Sequence, residues 1–329
     1  MPPLPWSPWS KPYPPPKPVE AKNPTIHEKH GRIMATNYHV VIDGPSSLLA
    51  YSHQRLTELE QHWSRFLPQS DISQLNNNPG KPVKVSPDTF RLVDALRKAW
   101  RLTAGRFDPT QLPSLISAGY TSSIDNPDHK TSLPVHTTSG GDLDAITMDQ
   151  ANHGITLPAG MSLDPGGLGK GFAADLLATE LLSLGATSAL VNLGGDLRCT
   201  GTPPQNGWVI EVKNPVNPSE AVCSLSINTG GVATSSTLNR RLGPNGERHH
   251  QIDPATGQNP ATDIATVTVI TQAAWMAESL ATAALQLNAE EAIAYLNGHS
   301  LPGVVIDLKG IAASTENLDL NLTDQESPA

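Results

Sequence analysis

The chain has 329 residues, of which 38% are hydrophobic and 16% charged, so it is long enough to bury a core and has a globular composition. Its formal net charge is −9, from 22 basic and 31 acidic residues. An acidic chain without a basic run predicts that neither nucleic acid nor an anionic membrane is its main partner, and it leaves room for a cation site.

The ends of the chain differ in composition from its middle. Residues 1–25 alternate proline with aromatic residues, which predicts a disordered or polyproline arm. We expect one folded catalytic domain over residues 26–315 and a polar tail over residues 316–329. No apolar run is long enough to span a bilayer, and no secretory signal or early lipid-accepting cysteine is visible. These features predict a cytoplasmic protein without an integral membrane segment.

The two cysteines, Cys199 and Cys223, lack the spacing of a zinc site. They fit either a reducing compartment or a single disulfide.

In the first half of the domain, periodicity predicts a strand over 33–42 and a helix through the apolar residues of 56–66. The polar, turn-rich segment 68–80 predicts a loop. A serine cap followed by proline, and a later glycine, predict a second helix over 86–105. Residues 117–139 show no period, which predicts a long surface loop.

The segment 163–175 contains four glycines within six residues, with Lys170 among them. A glycine-rich loop that leads into a helix directs backbone N–H groups and the positive end of the helix at an anion. The segment is not a Walker A loop, because Asp164 stands where that motif needs glycine and Gly171 follows the lysine. The pattern fits either a phosphate or pyrophosphate site or a plain strand-to-helix turn with an exposed lysine.

A second glycine-rich turn, Gly194-Gly195-Asp196, follows the strand predicted over 189–193. Because one helix and one strand separate the two turns, we expect both to lie at one end of a sheet and to share a ligand. The other predicted elements are a strand pair within 146–157, strands at 208–212, 223–227, 266–270 and 304–307, and helices at 172–184, 273–287 and around 292–296.

Three smaller patterns each leave two interpretations open. The segment 106–108 is either the exit of a helix or part of a ligand site. His250, three residues before Asp253, is either a base with its partner or a surface histidine beside a capped turn. Glu278 and Thr282 are four apart on a helix and face the same side. This pair is either exposed, or buried and in need of a partner such as Mg²⁺.

Taken in order, seven stretches resemble the motifs of the ApbE-type FAD:protein FMN transferases, and they cover nearly the whole chain from Met34 to Asp307. Those stretches are 34–36, 69–73 with Phe66 just before it, 103–110, 164–175, 192–196, 250–257 and 277–283. The resemblance implies an α+β fold of mostly antiparallel sheets flanked by helices.

The resemblance also implies a set of site residues. The FAD site would be lined by Met34, Phe66, Arg106, Phe107, Asp108, Asp164, Lys170 and Ile252. Mg²⁺ would be held by the carbonyl of Gly167 and the side chains of Glu278 and Thr282. Among the candidate catalytic residues Lys170, His250 and Glu278, we expect the lysine to be a charge clamp and the histidine a base.

The implied reaction is a transfer of FMN from FAD to a threonine or serine hydroxyl of a target flavoprotein, with release of AMP. The sequence departs from the family at four positions. Glu278 replaces the usual aspartate, Ala35 and Ser236 stand where glycine is common, and Arg106 replaces alanine. These departures leave two alternatives open, an FAD pyrophosphatase that yields FMN and AMP, and an FAD-binding protein with impaired catalysis. A nucleotide-binding fold without a preference for flavin is a third.

Overall fold

The computed structural model describes residues 25–204, 207–217, 219–243 and 245–318. It combines helices with antiparallel sheets, which confirms the predicted α+β class. The predicted N-terminal arm lies outside the described residues apart from Thr25, and so does the predicted C-terminal tail apart from residues 316–318. Within the described part of the chain, no helix is both long enough and apolar enough to cross a bilayer.

The strands that the structure describes are β1 Ile26–Ile33, β2 Thr36–Asp43, β3 Val83–Lys84, β4 Thr147–Asp149, β5 Gly154–Thr156, β6 Ser188–Leu193, β7 Asp196–Gly201, β8 Trp208–Lys213, β9 Ala221–Ile227, β10 Gly230–Ser236, β11 Arg241–Leu242, β12 Arg248–His249, β13 Ile264–Thr271, β14 Gly303–Asp307 and β15 Ala312–Ser314. The helices are α1 Leu48–Trp63, α2 Asp71–Asn77, α3 Pro87–Leu102, α4 Leu112–Ser117, α5 Gly169–Ser183, α6 Ala274–Ala284 and α7 Ala289–Gly298, with a 3₁₀ turn at Leu143–Ala145.

Eight strands form the central sheet in the order β1-β2-β6-β7-β10-β13-β14-β15, and every neighbouring pair is antiparallel. Alternate residues of a strand face opposite sides of the sheet, so one strand can contribute side chains to two cores. In β6, Ala189 and Val191 belong to a core shared with α1, α3 and α5, whereas Leu190 belongs to a second core covered by the β8–β9 hairpin. The central strands of the sheet are thus buried on both faces.

The predicted strand over 33–42 is confirmed as β2 from Thr36 onward, but its start is wrong because the chain turns back at Met34 and Ala35. Strands β1 and β2 form a hairpin through Met34 and Ala35, whose φ angles are 50° and 54°. Two-residue turns with positive φ usually carry asparagine or glycine. Their absence here removed the sequence signal for the turn.

The predicted loop over 68–80 is also wrong, because its centre is helix α2. Ser70 caps this helix by accepting a hydrogen bond from the Ser73 N–H. Ile72 and Leu75 are buried in the core. Two apolar residues in a polar segment were too few to show a helical period, and the tertiary contacts they make decide the structure.

Helices α5 and α6 cross closely, and this crossing positions the residues of the cleft described below. A Cβ atom on Gly171 would lie 2.6 Å from the carbonyl oxygen of Ala274, so only glycine fits there. Asp175 of α5 accepts hydrogen bonds from the N–H groups of Ala274 and Trp275 at 2.9 and 3.0 Å. Burial raises the pKa of Asp175 to about 6, and these two bonds limit the rise.

Candidate active site

A cleft of about 410 Å³ opens where the start of α5, the β1–β2 and β6–β7 turns and helix α6 meet. Its size is that of a small-molecule or cofactor site. The cleft brings together all the residues singled out from the sequence as catalytic, flavin-binding or metal-binding. Its wall includes Met34, Phe66, Arg106, Phe107, Asp108, Asp164, Gly167, Lys170, His250, Ile252, Glu278 and Thr282.

A buried ion cluster lies at the centre of this wall. The Lys170 ammonium donates a hydrogen bond to Glu278 Oε1 at 2.5 Å and a second one to Asp196 Oδ2. The lysine side chain is 17% exposed and each carboxylate 4%, so water screens the cluster only weakly. The two glycine-rich turns therefore meet at one site, as the sequence predicted.

Glu278 is held at both of its oxygens. Its Oε2 atom accepts a hydrogen bond from the Gly171 N–H at 2.8 Å, in the first turn of α5. The start of a helix carries partial positive charge, which favours a carboxylate at this position. Glu278 is 3% exposed, so the exposed interpretation of the Glu278 and Thr282 pair is wrong for the glutamate.

The charges of the cluster do not balance, because one ammonium faces two carboxylates. Burial and the charge of Asp196 raise the pKa of Glu278 to about 7, although Lys170 partly opposes the rise. Burial alone would lower the pKa of Lys170, but Asp196 and Glu278 outweigh it and raise that pKa. The lysine therefore stays charged at neutral pH, and the three-residue cluster has an excess of negative charge once Glu278 is ionised, which a cation would offset.

A pair of hydroxyl groups lies beside the cluster. The Thr282 and Ser235 hydroxyl oxygens are 3.1 Å apart. A Cβ atom on Gly167 would lie 3.8 Å from Thr282 Oγ1 and 3.0 Å from the ring of Phe107. The glycine loop thus runs between a hydroxyl group and an aromatic ring.

The opposite wall is built from Arg65 and two aromatic rings. The Arg65 guanidinium carbon lies 4.1 Å from the centre of the Phe66 ring and 4.7 Å from that of Tyr120. Its Nε atom lies 3.4 Å from Asp164 Oδ2, and Asp164 Oδ1 accepts a hydrogen bond from the Gly166 N–H at 2.9 Å. Asp164 therefore fixes the glycine loop to the aromatic wall.

Asp108 organises the turn after α3. Its Oδ1 atom accepts hydrogen bonds from the N–H and hydroxyl groups of Thr110, and its Oδ2 atom from the Gln111 amide. Phe107 is buried, whereas Arg106 is exposed at the rim of the cleft. The segment is thus both a helix exit and a part of the cleft wall.

His250 lies in the cleft without the partner proposed for it. The Asp253 carboxylate instead caps its own turn by accepting bonds from the Ala255 N–H and the Thr256 hydroxyl. The Nδ1 atom of His250 is buried without a hydrogen-bond partner among the described residues. Burial, followed by the charges of Arg240 and Lys170, lowers the pKa of His250 to about 3, so its ring is neutral at pH 7. The pairing of His250 with Asp253 is wrong.

The family model of the ApbE family matches residues 34–306 of this chain. The chain belongs to the ApbE family. This confirms the resemblance inferred from the seven motifs.

Curated relatives of this ApbE family member carry one name. A protein from Haemophilus influenzae, named FAD:protein FMN transferase, is 26% identical over 282 residues, which are 80% of this chain and 81% of that protein. A protein of the same name from Klebsiella pneumoniae is 28% identical over 255 residues, which are 70% of this chain and 75% of that protein. The prediction that this ApbE family member is a transferase is thereby confirmed.

Solved ApbE structures share the fold. The ApbE protein from Thermotoga maritima aligns with a TM-score of 0.79 at 23% identity, over 91% of this chain and all of that one. The flavin transferase ApbE from Vibrio cholerae aligns with a TM-score of 0.72 at 20% identity, over 90% of this chain and all of that one. Both confirm the α+β fold.

The cleft of this ApbE chain has the donor set of a hard cation. Glu278, Asp196 and the hydroxyl groups of Thr282 and Ser235 supply oxygen atoms, the ligands that Mg²⁺ prefers. A carboxylate has about four lone-pair sites, and Lys170 and the Gly171 N–H use two of those on Glu278. The residues present therefore fit Mg²⁺, with Glu278 and Thr282 as its expected side-chain ligands.

Two groups of cleft residues were missed from the sequence. Asp196 was recognised only as part of a turn, although a carboxylate after two glycines at a strand end was a usable signal. Arg65 and Tyr120 gave no signal in the sequence. Arg65 follows α1 and Tyr120 follows α4, and only the fold brings these two segments together. Glu60 gave no signal either, although it lines the cleft and accepts a hydrogen bond from the Met34 N–H at 2.7 Å.

Proposed function

We propose that this chain is an FAD:protein FMN transferase that moves FMN from FAD to a threonine or serine hydroxyl of a target protein and releases AMP. The observation that carries the proposal is the Lys170–Asp196–Glu278 cluster, which lies beside the Thr282 hydroxyl in one cleft. A cationic side chain within an excess of carboxylate suits a cation-assisted reaction at a pyrophosphate.

In the proposed reaction the acceptor oxygen forms a bond to the phosphorus on the FMN side of FAD. The bond from that phosphorus to the bridging oxygen breaks, AMP leaves with the bridging oxygen, and the acceptor hydroxyl loses its proton. Mg²⁺, held by Glu278, Thr282 and the Gly167 carbonyl, would supply charge neutralisation at the pyrophosphate.

The remaining work falls to the side chains of the cleft. Lys170 stays protonated and contributes a fixed positive charge next to the glycine loop. The neutral ring of His250 can accept the acceptor's proton, although its low pKa makes it a weak base. Phe66 and Phe107 contribute apolar surface for the flavin.

The test is to incubate the purified chain with FAD and Mg²⁺, with and without a threonine-bearing acceptor peptide, and to measure AMP and peptide fluorescence. We expect both AMP and a fluorescent peptide, and the Lys170→Ala variant should lose most of the turnover of both. An unchanged rate in that variant would remove Lys170 from the mechanism. AMP without any labelled peptide would favour the pyrophosphatase alternative, and bound FAD without AMP would favour an impaired flavin binder.

A further inference from the structure

A second group of metal-ligating side chains lies on the β1–β2 hairpin. His30 of β1 and His39 of β2 are paired directly across the two strands. Glu28 precedes His30 by two residues and therefore projects from the same face of the sheet. The Glu28 and His30 side chains are 61% and 67% exposed and that of His39 is 31% exposed, so an ion from solvent can reach all three.

The three side chains converge on a single carboxylate oxygen. The Glu28 Oε2 atom lies 2.9 Å from His39 Nε2 and 3.8 Å from His30 Nε2. The two imidazole rings are stacked, with centroids 3.9 Å apart and planes 10° from parallel. One potential ligand atom from each residue lies within 4.8 Å of the other two.

These separations match the size of a zinc site. Zinc bonds to imidazole nitrogen and carboxylate oxygen are about 2.0–2.2 Å long, which places the donor atoms of a tetrahedral site about 3.3–3.6 Å apart. The two measured distances from Glu28 Oε2 lie on either side of that value. Because the lone pair of an imidazole nitrogen lies in its ring plane, the two stacked rings would have to rotate away from parallel to bind one ion, and their exposed side chains leave room for that rotation.

The chemistry of the donors distinguishes this group from the cleft. Two imidazoles and a carboxylate suit zinc and related transition metals, whereas Mg²⁺ prefers oxygen ligands alone. The nearest cation on the same face, Arg32, is paired with Asp125 at 2.5 Å, so its charge is compensated. The alternative to a metal site is a surface ion pair between Glu28 and His39, with His30 stacked on its cross-strand partner His39, and the zinc titration below separates the two.

We propose that Glu28, His30 and His39 form a Zn²⁺ site on the β1–β2 hairpin, with water in the fourth position. The ion links the edge strand of the central sheet to its neighbour. The same hairpin carries Met34, which lines the cleft at the hairpin turn. Zinc bound to the folded chain alone would therefore stabilise the hairpin that forms this part of the cleft wall.

The test is a calorimetric titration of the tag-free, chelator-treated chain with Zn²⁺ in excess Mg²⁺, together with thermal unfolding and the visible spectrum with Co²⁺. We expect His30→Ala, His39→Ala and Glu28→Gln each to weaken zinc binding about tenfold or more and to remove the intense absorption of tetrahedral cobalt. Zinc should raise the unfolding temperature of the parent chain and not of these variants.

The matched control is His27→Ala, because His27 lies on the same strand but faces the opposite side. This variant should bind zinc as the parent chain does. The proposal would be overturned if the parent chain did not bind zinc in the micromolar range. It would also be overturned if the His27 variant lost as much zinc affinity as the others, or if the His30 and His39 variants kept theirs. A cooperative thermal transition of each variant without metal verifies that it is folded.

Discussion

At the scale of single residues, the chemistry of the cleft depends on how Glu278 shares charge with Lys170 and Asp196. The two carboxylates lie on either side of one ammonium, and all three are largely removed from water. Such a cluster is a poor stabiliser by itself, because desolvation offsets the attraction between the charges. Its excess negative charge is better explained by a function that binds cations.

Replacing Glu278 with glutamine should separate stability from function. The folded-state pKa of about 7 lies above the ordinary value of 4.5, so the stability contributed by this carboxyl is complete below pH 4.5 and is lost as the pH rises through 7. We therefore expect Glu278→Gln, which cannot ionise, to be at least as stable as the parent chain at neutral pH. Its affinity for Mg²⁺ in the presence of FAD should fall about tenfold or more.

The control for this variant is Glu278→Asp, which keeps the charge and restores the residue usual in the family. Calorimetric titration with Mg²⁺ in the presence of FAD measures the metal affinity, and thermal unfolding without metal measures the stability. A glutamine variant that binds Mg²⁺ as tightly as the parent chain would show that Glu278 is not a metal ligand.

Replacing His250 with asparagine should reduce the sensitivity of the fold to acid. The folded-state pKa of about 3 lies below the ordinary 6.5, so the unfolded chain binds this proton first and stability is lost as the pH falls below 6.5. At pH 5 this loss amounts to at most about 2 kcal/mol, and the variant should escape it. Urea unfolding at pH 7 and pH 5 measures the difference, with the exposed His129→Asn as control.

The same variant tests the proposed base. If His250 accepts the proton of the acceptor hydroxyl, its removal should alter the pH–rate profile of the transfer. An unaltered profile would leave His250 a purely structural role.

At the scale of elements, turns and helix crossings set the position of the cleft. Gly194 has a φ of +68°, and a Cβ atom there would lie 2.0 Å from the Thr36 hydroxyl. Because position 194 is glycine, the β6–β7 turn, which leads to Asp196, can lie directly against the β1–β2 hairpin that carries Met34. Two backbone features are open to direct measurement, the strained hairpin turn and the crossing of α5 with α6.

The Ala35→Gly substitution should relieve the backbone strain of the hairpin turn. Ala35 has a φ of 54°, a region that costs an alanine about 1–2 kcal/mol and a glycine nothing, although glycine adds entropy to the unfolded chain. We expect a net stabilisation of about 0.5–1 kcal/mol in denaturant unfolding. The matched control is Ala294→Gly at an exposed position inside α7, which should destabilise by about 1 kcal/mol. Destabilisation by both substitutions would show that the turn carries no strain.

The Gly171→Ala substitution should disrupt the close packing of α5 against α6. The added methyl would lie 2.6 Å from a backbone oxygen of α6, which cannot rotate away. We expect a loss of about 1–3 kcal/mol of stability and a larger loss of turnover, because the Lys170–Glu278 contact spans this crossing. Gly298→Ala, at the end of α7 with no atom within 4 Å of the new methyl, should instead gain about 0.4–1 kcal/mol. Equal stabilisation by both variants would mean that the helices can separate at no cost.

At the scale of the whole molecule, residues that act within a local motif were predictable from sequence, and contacts between distant segments were not. Lys170, Glu278 and the glycine loop belong to short patterns with their own chemistry, and the structure brings them to one cleft. The hairpin turn and α2 were missed because neither carries the usual local signal. Asp253 could not be assigned either as a partner of His250 or as a turn cap, because proximity in sequence gave no information on which way its side chain turns.

The most direct test of the proposed function is the ratio of AMP released to FMN attached to a threonine-bearing acceptor protein, measured in one reaction with FAD and Mg²⁺. A transferase predicts one AMP for each FMN attached, AMP release that depends on the acceptor, and loss of both products when the acceptor threonine is replaced by alanine. AMP release that is the same with and without the acceptor, and leaves the acceptor unlabelled, would contradict the account.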